Sequence, residues 1–391
     1  MMTHFCTGAH QRCDLKLSHL GIVLFGCILM QASFASAEKL FEDTIFDAVV
    51  DVSSEPVVGS QKPRRYQSLQ AAIDDIPSRR KHGDSYRIFV TAGDYREKID
   101  VPHGNVTIVG EGADNTRIAF GLYAAIAGHY RSDNWGTPGS ATFTINADSV
   151  TVKGLTIENT FDFLGNDKKP KGDSSKIKHT QGVALLLDIN SDRVFMEGVR
   201  LVGYQDTLFA NGGRTHIVNS SISGVVDFIF GAGQLLVEHS VLLSRKRGKP
   251  FDVGEVQGHI SAAATNKKKK VGFVFRECRL EAEEGLPANS ISLGRPWHPT
   301  RTFADGRYAD PHVSASVVYI HTYMAEHIVA HGWESMRGTG KDGLKSQVFT
   351  PEDARFFEFD NYGPGANVSS VRQRYSLGKA DQLELESFLA W

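Results

Sequence analysis

The sequence predicts an all-β chain wound as a parallel β-helix, and three observations carry that reading. An apolar template of two short strand pieces with a bend between them recurs along the chain. Its spacing is close to 21 residues or twice that, and helical periodicity is sparse. The template occurs as Val150/Val152/Leu155/Ile157, Val194/Met196/Val199/Leu201, Thr215/Ile217/Ser220/Ile222, Leu235/Val237/Ser240/Leu242 and Phe273/Phe275/Cys278/Leu280. The third positions, at 155, 199, 220, 240 and 278, are separated by 44, 21, 20 and 38 residues, which is one coil or two coils of a solenoid. A β-sandwich would instead place hairpin turns about every 8 to 12 residues, and Asn-Gly hairpin signals are few. The stretch "YQSLQAAIDDI" (66–76) has helical spacing and suits an end cap. Doubled spacing leaves long loops at 158–180 and 243–270, placed to wall a groove on the side of the solenoid.

Before the repeats comes a targeting pattern. Arg12 and Lys16 precede the apolar run "LGIVLFGCILM" (20–30), and "ASA" (35–37) supplies small residues for cleavage. The run is shorter than the roughly 18 apolar residues that a membrane span needs. The expected organisation is a cleaved signal peptide over 1–37 and one β-helix domain over 38–391, in a secreted or periplasmic protein without a membrane span. Lipidation at Cys27 in "LFGC" is the second reading. The chain carries 43 Lys and Arg against 45 Asp and Glu, a net charge of −2. Nothing there calls for nucleic acid, and "NKKKK" (266–270) reads as a solvated loop tip. Loss of Cys6, Cys13 and Cys27 with the signal leaves Cys278 without a disulfide partner. A monomer is expected.

Candidate chemistry starts from two acids. Asp206 lies in "GYQDTLF" and Asp227 in "SGVVDFIFGAG", 21 residues later, the same step as the repeat. They fall at equivalent places on adjacent coils, about 4.8 Å apart. Two carboxyls so close resist ionising together, which yields a nucleophile and a proton donor from one residue type. Turn capping is the alternative for either acid taken alone. Gln181 precedes Asp206 by one coil with a small insertion, and Gln205 adjoins it; both can donate amide N–H groups to an oxyanion. In "SLGRPWHP" (292–299), Arg295 can pair with one aspartate and Trp297 offers a flat face to a sugar ring.

These elements resemble the pectinesterases, particularly those of plant-pathogenic bacteria. "GDYREKI" (93–99), "QGVAL", "GYQDTL", "DFIFG", "LGRPW" and "FFEFDNYGPGA" (356–366) follow in the family's order across nearly the whole chain after residue 37. The resemblance implies a right-handed parallel β-helix that hydrolyses methyl-esterified galacturonate in pectin to pectate and methanol, without metal or organic cofactor. It implies Asp227 as nucleophile, kept ionised and oriented by Arg295, with Asp206 as general acid and then base. Gln181 and Gln205 would stabilise the oxyanion, and Trp297, Phe230 and Phe209 would line the sugar groove. Gly182 departs from the family's usual alanine; a looser backbone at Gln181 is the expected consequence.

Carboxyls about 5 Å apart also fit a retaining glycosidase, so a pectin-depolymerising hydrolase is the nearest rival, though an oxocarbenium-like transition state does not call for the glutamines. A non-catalytic carbohydrate-binding solenoid is the rival from another class. A calcium-dependent lyase lacks its acidic cluster in the sequence. "HIVAH" (327–331) has zinc-site spacing but Ile328 where a catalytic Glu would stand, and no Gly-x-Ser-x-Gly elbow exists.

Overall fold

The computed structural model describes residues 46–53, 63–79, 81, 83–127, 136–251, 254–367 and 372. The expected signal segment and Cys27 lie outside these residues. No helix among the described residues is long and apolar enough to cross a membrane.

Each coil contributes a strand to one of three parallel sheets in turn, here called A, B and C, with eleven, eight and seven described strands. The coil of Val194–Glu197, Arg200–Val202 and Leu208–Ala210 runs through A, B and C in that order, and the next repeats it with Arg214–Val218, Ser221–Gly224 and Val226–Gly231. This is the parallel β-helix expected from the repeat. All five template copies supply an A strand, a bend and a B strand. Inward positions form ladders: Val152, Met196, Ile217, Val237, Phe275 and Tyr319 pair successively in sheet A. Ile157, Leu201, Ile222, Leu242, Leu280 and Met324 do the same in sheet B. All are fully buried, each side chain stabilising the winding by about 1.5–3 kcal/mol.

The bend explains the template's third position. The residue before it is left-handed in every copy, with φ of 61° at Gly154, 62° at Gly198, 50° at Asn219, 47° at His239 and 53° at Glu277. The third residue then turns inward. Serine is admitted there because Ser220 Oγ accepts the N–H of Val199 and Ser240 Oγ accepts that of Ser220, each hydroxyl donating to a carbonyl two residues earlier. The polar group is buried but paired. Cys278 takes the same place, where burial pushes its thiol up to about 12.

The helical segment starts later than its pattern suggested, because Arg64–Tyr66 joins sheet A. Helix α1 spans Leu69–Asp74, with the Ser68 hydroxyl accepting the N–H of Ala71, and α2 spans Ile76–Arg79. Leu69, Ala72, Ile73 and Ile76 are buried over the first coils, as an end cap requires. The "GDYREKI" motif serves this cap. The Glu97 carboxylate accepts the N–H groups of Leu69 and Gln70 at 3.0 Å each, while the hydroxyl of buried Tyr95 donates to Val50 O.

Three expectations about loops need correction. The 158–180 segment is not all loop, since α3 spans Phe163–Lys168 with Asp162 as its cap. The 243–270 segment is interrupted by the sheet C strand Gly258–Ala263. The lysine run is only partly solvated: Lys269 is half-buried and donates to Ala232 O. "HIVAH" forms no helix; His327 is fully buried, while His331 pairs with Glu334.

Candidate active site

Sheet C and the corner leading into it from sheet B carry the polar residues singled out from the sequence. Gln205 pairs in parallel with Val226 on the next coil, and the N–H of Asp206 donates to Val226 O at 3.1 Å. Asp206 and Asp227 therefore sit on adjacent coils, as their spacing required. Both have left-handed backbones, φ 66° and 50°, an uncommon state for residues other than glycine. At Asp227 the pairing with the following coil slips between Val226 and Ile229. Such an irregularity re-aims side chains.

The two acids have different partners. Arg295 grips Asp227 with both oxygens engaged, Nε to Oδ1 at 2.8 Å and Nη2 to Oδ2 at 2.5 Å. That two-point geometry matches a carboxylate to a guanidinium. Arg295 lies two coils beyond Asp227, and its N–H donates to Ser261 O on the coil between. No donor among the described residues reaches the Asp206 carboxyl. Burial raises its pKa well above the usual carboxylate range, the Asp227 charge adds to the rise, and Arg295 opposes it. The two acids thus differ in surroundings: Asp227 is paired with a fixed positive group, and burial favours the protonated form of Asp206.

Gln181 approaches from the coil before that of Asp206, and Gln205 adjoins Asp206 on its own coil. Gln205 O accepts the N–H of Gly182, which fixes Gln181 beside Gln205. The Thr180 hydroxyl donates to Gln205 Oε1 at 2.8 Å, setting that amide's orientation, and no described residue accepts from its Nε2. Gln181 Oε1 is buried and takes no hydrogen bond from any described residue. Gly182 is not merely loose. A Cβ there would meet the Asn159 amide at 3.0–3.4 Å, and Asn159 Nδ2 is committed to the carbonyls of Leu122, Ser140 and Val183.

Outward-facing aromatics extend the site along sheet C. Leu186, Phe209, Phe230 and Ala262 pair in register on four successive coils. Phe209 and Phe230 stack with centroids 4.2 Å apart, and half-buried Trp297 meets both edge-on at 6.3 and 5.6 Å. All eight residues expected at the site thus belong to one corner and its adjoining sheet face.

Sequence reasoning missed several neighbours. His259 lies opposite Val226 in the sheet, and its Nδ1 is 2.7 Å from Ser292 Oγ. Burial is the main force pushing this imidazole down to about 3; Arg295 adds to it, Asp227 opposes, and Arg247 contributes further depression. His259 is therefore neutral beside the Arg295–Asp227 pair. No motif marks it, because its place depends on which coil follows Asp227. Thr180, Tyr204 and Arg245 were also missed, although Thr180 and Tyr204 adjoin Gln181 and Gln205 in sequence.

Comparison with known proteins gives the family and the fold. A family model described as Pectinesterase matches residues 55–388. Pectinesterase A of Dickeya dadantii is 41% identical over 349 residues, covering 88% of this chain and 91% of that protein. A pectin methylesterase from Erwinia chrysanthemi superposes with a TM-score of 0.78 at 40% identity, over 87% of this chain and 95% of that one. A pectin methylesterase structure in complex with a hexasaccharide gives 0.79 at the same identity and coverage.

Proposed function

Because this chain belongs to the pectinesterase family, we propose that it removes methyl esters from galacturonate units of pectin with Asp227 as nucleophile and Asp206 as acid and base. An Asp227 oxygen attacks the ester carbonyl carbon, and the negative charge moves to the carbonyl oxygen, where the Gln181 and Gln205 amides donate to it. The intermediate collapses as the C–OCH3 bond breaks and Asp206 hands its proton to the departing methoxide, giving methanol and an acyl-enzyme anhydride. Asp206, now ionised, takes a proton from water while the water oxygen attacks the anhydride. The anhydride C–O bond breaks to free the Asp227 carboxylate and galacturonic acid, which releases its proton to solvent and leaves as galacturonate, and both aspartates regain their starting states.

The observation that carries this reading is the division between the two acids: Asp227 held at both oxygens by Arg295, Asp206 buried without a donor among the described residues. A nucleophile must be ionised and a leaving group needs a proton, so the roles follow the environments. Arg295 orients Asp227. Trp297, Phe230 and Phe209 offer the apolar face along which sugar rings would lie. The proposed substrate is polymeric and external, which fits the export expected from the N-terminal sequence.

The test is methanol release from highly methylated pectin by the unaltered enzyme and by Asp227→Asn. Methanol without new reducing ends is expected from the first, and none from a folded second. Near-native methanol release by the variant would exclude Asp227 as the nucleophile. New reducing ends without methanol would replace the esterase by a depolymerising hydrolase.

A further inference from the structure

Two long loops, 160–184 and 245–257, leave the solenoid at the same B-to-C corner, from coils on either side of the two that carry Asp206 and Asp227. Between them the corner turns are short. The loops meet across this gap. Asp167, at the end of the first loop's helix α3, accepts Arg247 Nε at 3.0 Å and Nη2 at 2.7 Å, together with the N–H groups of Gly248 and Lys249 at 3.0 and 3.2 Å. Arg247 Nη1 donates to Gln257 O. The Asp167 side chain is only 8% exposed. Gly248 passes so close to the first loop that a Cβ would lie 2.3 Å from Leu164 O.

What the loops hold between them is Tyr204, the residue before Gln205 and Asp206. Phe163 from the first loop stacks on its ring, centroids 5.4 Å apart and planes within 10°. From the second, the Arg245 guanidinium lies 3.8 Å from the ring centroid, donates to the Tyr204 hydroxyl at 2.6 Å and donates to Gly203 O at 3.1 Å. The Arg245 N–H also donates to Gly224 O at 2.7 Å, on the coil of Asp227. The turn after Tyr204 must present an amide and a carboxyl from a left-handed residue, a backbone state that persists only where the surroundings over-determine it.

We propose that the Asp167–Arg247 lock and the Phe163–Tyr204–Arg245 clamp beneath it form a positioning device that sets Gln205 and Asp206 for the reaction. It rests on the roles assigned above to those two residues. Asp167 and Arg247 spend their hydrogen-bonding capacity on each other and on backbone, which argues for support of the site and against contact with the sugar. Asp206 itself is buried, and the charged groups acting on it are Asp227 and Arg295, with neutral His259 beside that pair.

The experiment compares steady-state kinetics over pH for the full-length enzyme, an Asp167→Asn/Arg247→Met double variant and Arg245→Met. The double variant leaves no lone buried charge; Arg245→Met leaves the lock in place and cuts only the clamp. Each is expected to lose about 10- to 100-fold in kcat with KM within about twofold, as misplacement of reacting groups does. Admission of water to Asp206 should lower its pKa, so the alkaline limb of kcat should move to lower pH. A fold-stabilising role alone would reduce active enzyme without moving that limb. Unchanged kcat and limb in a folded Arg245→Met enzyme would overturn the proposal, as would a rise in KM with kcat intact. Asp206→Asn serves as the control: if it keeps native turnover and the alkaline limb, the assignment of Asp206 fails, whatever the lock variants do.

Discussion

The backbone N–H of Asp206 donates to the carbonyl of Val226, the residue before Asp227, at 3.1 Å. One ladder hydrogen bond thereby joins the two acids' coils at the point where their side chains emerge. The acids are brought onto neighbouring coils by winding, one ladder step apart. Differences between them come from what the next coils add: Arg295 beside Asp227 and burial around Asp206.

Arg295→Lys should keep a positive charge but lose the two-point grip on Asp227. Turnover is expected to fall about 100-fold, with pectin affinity nearly unchanged, if alignment of the nucleophile is what the fork supplies. Kinetics on methylated pectin test this; a lysine enzyme with native kcat would mean that charge alone suffices.

Gln181→Ala should reduce kcat by about 10²–10³, the usual loss for one oxyanion donor. Because the interaction forms only as charge develops, KM should change little. A KM effect without a kcat effect would assign Gln181 to ground-state binding.

Asp206→Asn should inactivate the enzyme and stabilise it at neutral pH. The folded state holds the Asp206 proton where the unfolded chain has released it, so stability is full below about pH 4 and is lost as pH rises toward the raised pKa. Asparagine carries no such penalty. Its thermal midpoint should match that of the unaltered enzyme near pH 4, within the small effect of the substitution itself, and exceed it increasingly toward neutrality. A gap that closes as pH rises would contradict the assignment of a proton to Asp206.

Gly182→Ala, which restores the residue usual in the family, should be unfavourable in this chain. The new methyl meets an Asn159 amide tied to three carbonyls, and crowding of this kind costs roughly 1–3 kcal/mol. A lowered thermal midpoint with reduced turnover is expected. An unchanged enzyme would show that Asn159 can yield.

The sequence by itself determined the winding and the pairing of the acids. Both are periodic properties: side chains one turn apart recur at a fixed step, so Val199 and Ser220, or Asp206 and Asp227, could be matched by subtraction. The ladders of sheets A and B were legible because strands such as Val150–Lys153, Val194–Glu197 and Arg214–Val218 alternate buried and less buried positions, leaving an apolar alternation. Sheet C was not, because the Val226–Gly231 strand is buried through most of its length and slips in register around Asp227. Only the tertiary structure decided how the surroundings of the two acids differ, since that depends on Arg295, 68 residues beyond Asp227, and on the burial that raises the pKa of Asp206. It alone joined Asp167 to Arg247 across 80 residues and put His259 beside the site. Contacts of that range leave no period in the chain; they exist only where the loops of different coils meet.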